Sequence, residues 1–155
     1  MQTQTTPHTR LASRDVKKLA PGLYPAVVAL GDAAEAASLN EALIALVNLR
    51  VSQINGCAYC VQMHMTDGLK LGVPPEKLTL VVTWREAGIF SPREEAALAW
   101  AEELTLIAQH HVPDAAWEAA RAEFTERELV GLTAAINAIN VWNRIAVSFR
   151  NAPEI

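Results

Sequence analysis

Cys57, Cys60 and His64 are spaced i, i+3 and i+7. On a helix that spacing stacks the three side chains along one face. A thiol pair beside an imidazole can do acid–base chemistry on sulfur, because the histidine takes a proton from one thiol and returns it to a leaving group. Cys60, four residues before His64, is the expected nucleophile. Cys57, one turn earlier, is the expected resolving thiol that closes a disulfide with it. Asn55-Gly56 should break the preceding helix and leave the pair at the start of the next one, where unpaired N–H groups and the helix dipole favour a thiolate. The implied cycle is thiolate attack, sulfenic acid, condensation with the second thiol, and reduction by an outside dithiol. It calls for no bound cofactor and no metal, and none is expected.

The same residues permit other readings. A C-x-x-C can be half of a zinc site, but a closed structural site takes four ligands and only His64 is added on this face. Two inert buried cysteines are also compatible with the pattern. A third reading is a non-catalytic redox sensor or assembly module, whose disulfide alters a subunit interface without turnover. Asp67 follows His64 by three and could fix its tautomer, or be a solvated surface carboxylate. Asn137, Asn140 and Arg144 form one stripe on the last helix. They could line a pocket above the cysteines or hydrogen-bond between helices or subunits. His110 and His111 fall at a helix end, where the dipole accounts for them. The tryptophans at 84, 100, 117 and 142 are spread over four helices and read as core.

Alanine, leucine and glutamate dominate and alternating patterns are scarce, which predicts an all-α helical bundle. Helices are expected at 14–19, 22–37, 40–54, 58–71, 75–87, 92–109, 114–123 and 126–149. Three S/T-x-x-E capping boxes mark starts: Ser38 to Glu41, Ser91 to Glu94 with Pro92 at the first helical position, and Thr125 to Glu128. Residues 1–12 read as a polar tail and 13–155 as a single helical domain. The last helix is apolar round nearly its whole circumference, so it should be buried all round, with a subunit interface supplying part of the cover.

The 155 residues are 51% hydrophobic with a formal charge of −4. No basic field exists to hold nucleic acid or an anionic membrane surface. No apolar run has the length of a secretory signal or a membrane span, so cytoplasm is the expected compartment, where a close cysteine pair means redox chemistry or metal more often than a structural bridge.

The string Leu49-Arg50-Val51-Ser52-Gln53-Ile54-Asn55-Gly56-Cys57-Ala58-Tyr59-Cys60, followed by His64, closely resembles the core motif of the alkylhydroperoxidase D-like branch of the carboxymuconolactone decarboxylase family. Asn140-Val141-Trp142-Asn143-Arg144 resembles the final helix of its shorter, peroxidase-related members. The resemblance implies an all-helical subunit that assembles as a trimer or hexamer and reduces small hydroperoxides. It makes Cys60 the residue that becomes a sulfenic acid and Cys57 the proton donor and disulfide partner. By analogy the reductant is a lipoyl group on a protein served by a flavin dehydrogenase. The family's relay glutamate lies twelve residues before the first cysteine, at Ala45 here. Glu41, one turn earlier, could substitute or could simply close its capping box, and Glu102 or Glu123 could serve from elsewhere. Tyr59 stands where some members have a second histidine. The family name also suggests decarboxylation of a carboxymuconolactone; that needs an acid–base set without a thiol pair, and the intact C-x-x-C speaks against it.

Overall fold

Capping residues decide where these helices begin. The computed structural model describes residues 9–153, and in chain order the helices are α1 (Ser13–Leu19), α2 (Leu23–Glu35), α3 (Glu41–Ile54), α4 (Ala58–Lys70), α5 (Pro75–Leu80), α6 (Trp84–Ala87), α7 (Pro92–Thr105), α8 (Ile107–His110), α9 (Asp114–Glu123) and α10 (Glu126–Phe149). No strand occurs among the described residues. Two of the three expected capping boxes form: Ser91 with Glu94 opens α7, and Thr125 with Glu128 opens α10. The third does not. Asn40 caps α3 instead, its Oδ1 accepting from the Ala42 and Leu43 N–H groups at 2.9 and 3.2 Å, while Ser38 turns away at φ +56°. With the start at Asn40, Glu41 is the first helical residue and has no capping duty.

Two expected helices are interrupted. The span 75–87 contains a 3₁₀ turn at Val81–Thr83 between α5 and α6. A run of three β-branched residues crowds the preceding turn, and the Thr83 hydroxyl donates to the Leu80 carbonyl at 3.2 Å. The span 92–109 breaks at Leu106, which leaves helical dihedrals between α7 and α8. Residues 1–8 of the expected polar tail lie outside the described residues. Its end is docked, since the Arg10 N–H donates to the Phe149 carbonyl at 2.9 Å.

α3 is the centre of the bundle because it is apolar on two faces. Leu43, Val47 and Val51 pack with Trp100 of α7 and with Leu132, Ile136 and Ile139 of α10. Leu46 and Leu49, on the other face, pack with Leu78, Trp84, Phe90 and Leu98. Spacings of four and three residues from one helix thus feed two core clusters.

α10 packs against α2, α3 and α7. It comes so close to the end of α2 that a Cβ added at Gly131 would lie 2.2 Å from the Ala37 Cβ. Within one chain α10 is not covered all round: Val130 is 72% exposed and Val147 47% exposed. Two helices and a hairpin do not enclose its full circumference.

Candidate functional site

The α3–α4 hairpin carries the cysteines, and its turn is built from the Asn55-Gly56-Cys57 string. Asn55 ends α3, and Gly56 takes φ +65°, a left-handed conformation that glycine adopts without a Cβ clash. The chain then re-enters helix with Cys57 as the N-cap of α4. The Cys57 N–H donates to the Ser52 carbonyl at 3.0 Å, and its sulfur accepts from the Cys60 N–H at 3.3 Å. The two sulfurs form a disulfide, with the Cα atoms 5.3 Å apart. Both cysteines are buried, against Ala146 and Tyr59.

α10 fixes this turn from behind through amides. Asn55 Nδ2 donates to both Asn140 Oδ1 and Asn143 Oδ1 at 3.0 Å. Asn143 Nδ2 donates to the Ser52 hydroxyl at 3.1 Å. Asn140 Nδ2 donates to Thr105 Oγ1 and to the Ile136 carbonyl. Every polar group so buried has a partner, which is the normal condition for a structural network.

His64, one turn beyond Cys60 on the same face, is in a different state. It is 8% exposed, and its Nε2 has no hydrogen-bond partner. Burial drives its pKa down to about 4 against the weaker opposing pull of the Asp67 carboxylate, so the ring is neutral at physiological pH. A neutral imidazole can accept a thiol proton.

Cys60 and His64 both open onto a cavity of about 680 Å³ between α2, α3, α4 and α10. Cys57 is not part of its lining. The two sulfurs are thus unequal in access although equal in sequence pattern. Glu41 and Asp67 also line the cavity, as does Ala45. Asp67 acts on His64 through its charge and lies 3.8 Å from Lys70 Nζ at the surface.

The other candidates are placed elsewhere. Asn140 belongs to the amide network behind the turn and is absent from the cavity lining, and Arg144 is exposed, reaching only Asn140 Oδ1 at 3.4 Å. Of the two readings open for this stripe, Asn140 follows the one of hydrogen bonds between helices and not that of pocket lining: it faces the α3–α4 turn and Thr105. Asn137 is exposed. Glu102 is buried but engaged by Arg50, Trp84 and Arg85, and neither it nor Glu123 lines the cavity.

Several lining residues had no sequence signal. Asp32 and Glu35 arrive from α2, whose placement beside the hairpin is a tertiary fact. Asn48 was findable, because it follows Glu41 and Ala45 on one face of α3 at i+7 and i+3. Its Oδ1 is buried without a partner. Asn143 was equally findable, three residues after Asn140.

Comparison with known proteins settles the kinship. The model of the carboxymuconolactone decarboxylase family matches residues 21–103. The chain belongs to this family. A Bacillus subtilis member, the uncharacterized protein YdfG, is 40% identical over 114 residues, covering 74% of this chain and 78% of that protein. Escherichia coli YnjA, also uncharacterized, is 30% identical over 68% of this chain, which spans 58% of YnjA. A crystal structure from Agrobacterium tumefaciens, of a protein of unknown function provisionally described as the antioxidant defence protein AhpD, superposes with a TM-score of 0.89 at 39% identity, covering 96% of this chain and 99% of the other. Family and fold together put the chain in the alkylhydroperoxidase D-like branch of the carboxymuconolactone decarboxylase family. Among the described residues, no group of three or more His, Cys, Asp or Glu side chains is arranged to hold a metal ion, and no helix is long and apolar enough to cross a membrane.

Proposed function

We propose that this family member is a thiol-dependent peroxidase acting on organic hydroperoxides through Cys60, Cys57 and His64. The observation that carries the reading is the juxtaposition of Cys60 and the unpartnered, neutral His64 on one cavity wall, with Cys57 bonded to Cys60 from outside that wall. In the reduced protein His64 takes the Cys60 proton. The thiolate attacks the terminal peroxide oxygen, the O–O bond breaks, and the alkoxide leaves as the alcohol with the proton held by His64. Cys60 is then a sulfenic acid. The Cys57 thiol attacks it, water leaves, and the disulfide forms. An external dithiol returns both thiols through a mixed disulfide; a lipoylated protein is the partner class proposed. Glu41 and Asp67, on the same cavity, are the proposed relay carboxylates.

The working unit is proposed to be a trimer or hexamer in the cytoplasm, with the exposed apolar residues of α10 in its interface. The provisional description of the Agrobacterium protein, itself of unknown function, as an antioxidant defence protein is in keeping with the assigned chemistry. The runner-up is a redox sensor that forms the same disulfide once without turnover, and the observation favouring it is Ala45, which leaves the family's relay position without a carboxylate.

Reaction of the reduced protein with cumene hydroperoxide, followed by thiol counting, tests the reading. Two thiols should vanish per peroxide, with repeated turnover when dihydrolipoamide is supplied. In Cys60→Ser consumption should cease. Continued consumption by that variant would remove Cys60 as nucleophile, and a single oxidation without turnover would favour the sensor.

A further inference from the structure

The cavity over Cys60 is large, apolar in its walls and acidic in its charge. At about 680 Å³ it falls within the range of roughly 300–1,000 Å³ that holds a drug-sized ligand, far more than hydrogen peroxide needs. Its walls carry Tyr24, Ile44, Met63, Ile139, Trp142 and Ile145. The Tyr24 and Trp142 rings meet edge to face at 5.2 Å, a surface suited to an aromatic or branched hydrocarbon body.

Charge on the lining is of one sign. Asp32 and Glu35 of α2, Glu41 of α3 and Asp67 of α4 all contribute, and among the described residues no lysine or arginine lines the cavity. Lys17, whose Nζ stands 5.5 Å from the centre of the Tyr24 ring, does not reach the lining. A concave site with low-dielectric walls focuses the field of such a set. His64 is among its lining residues, more than nine-tenths buried with Nε2 unpartnered, a group with hydrogen-bonding capacity left for a ligand.

We propose that this cavity selects uncharged or cationic ligands with a bulky apolar body and excludes carboxylates, with Asp32 and Glu35 as the specificity-determining residues. The proposal rests on the peroxidase reading in calling that ligand a hydroperoxide: esters or hydrocarbon hydroperoxides would be taken, and the hydroperoxides of free fatty acids refused. An amide-linked lipoyl disulfide, being neutral, passes the same filter, whereas free lipoate does not.

Calorimetric titration of the full-length disulfide form with biphenylmethanol, biphenylmethylamine and biphenylcarboxylate separates charge from shape, and none of the three can react with a thiol. The alcohol and amine should bind, with the carboxylate weaker by about tenfold, the scale of a few partly screened charges at the mouth of a cleft. In the Asp32→Asn/Glu35→Gln variant the gap should close while alcohol binding is kept. Equal or tighter binding of the carboxylate by the unaltered protein, a gap that survives the double variant, or no binding of the alcohol would each overturn the proposal. The peroxidase reading is tested apart from it: charge selection in these titrations without peroxide consumption would sink that reading alone, and peroxide consumption without charge selection would sink this inference alone.

Discussion

Glu102, 7% exposed, and His64, 8% exposed, are equally shielded from solvent in contrasting surroundings. Glu102 of α7 receives Arg50 Nε at 2.8 Å from α3, Trp84 Nε1 at 2.9 Å from α6, and the Arg85 guanidinium. Burial pushes its carboxyl up, but the hydrogen bonds from Trp84, Arg85 and Arg50 outweigh that and hold it below the usual range. His64 has the opposite condition: its Nε2 is unpartnered, and burial keeps the ring neutral. A saturated buried charge ties helices together. An unsatisfied buried base has capacity left for an incoming proton or ligand. Coordination, and not solvent exposure, separates the strut from the reactive group.

The largest effect that sharpens this contrast is kinetic. His64→Ala should slow peroxide-driven disulfide formation by about 10²–10⁴-fold, the usual contribution of a general base, in stopped-flow fluorescence. An unchanged rate would make His64 a packing residue and erase the distinction. Glu102→Ala should instead leave the chemistry and cost about 1–3 kcal/mol of stability, because the half-buried Arg50 and the buried Trp84 Nε1 lose their acceptor. Urea unfolding reads this, and a loss below about 1 kcal/mol would put the cluster with surface ion pairs.

Acid should separate the two groups by window. His64 has a folded pKa of about 4 against 6.5 when free, so the unfolded chain binds its proton first. Stability should fall by about 3 kcal/mol as pH drops from 6.5 towards 4. His64→Gln should flatten that span. The acidic groups facing the ring's cavity are Asp32, Glu35, Glu41 and Asp67, so the Asp67→Asn variant should steepen it. Glu102, with its pKa lowered from 4.5, holds its contribution above 4.5 and loses it only below, so Glu102→Gln should lower stability evenly above 4.5 and change the slope of the curve only below it. A single acid transition unaffected by either variant would break the comparison.

The smallest effect belongs to the amide network. Asn143→Ala removes partners from Ser52 and Asn55 and should cost about 1–3 kcal/mol, measured by thermal unfolding, with slower disulfide formation as the turn loosens.

Much of the site was legible because it is local. The i, i+3, i+7 spacing on one helix places Cys57, Cys60 and His64 together whatever the bundle does. Gly56 ends α3 through its left-handed backbone, and Ser91 and Thr125 cap their helices with side chains only three residues away. The Ser38 box misled because a nearer cap, Asn40, competed for the same N–H groups, and residue pattern gives no measure of that competition. The placement of Asn140 and Arg144 stays open in the sequence for a related reason. A polar stripe on an apolar helix states that partners exist, not whether they are amides behind a turn or ligands in a cavity.

The sequence by itself determined the all-helical class, the family, the position of the dithiol at a helix start and the histidine that shares its face, since each depends on contacts within a few residues. Only the tertiary structure decided that Cys60 lines the cavity while Cys57 does not, that Asp32 and Glu35 join its rim from α2, that Glu102 is saturated and that His64 is buried without a partner. These follow from how α2, α3, α4 and α10 pack. Burial, field and hydrogen-bond saturation are sums over neighbours distant in the chain, which no local spacing encodes.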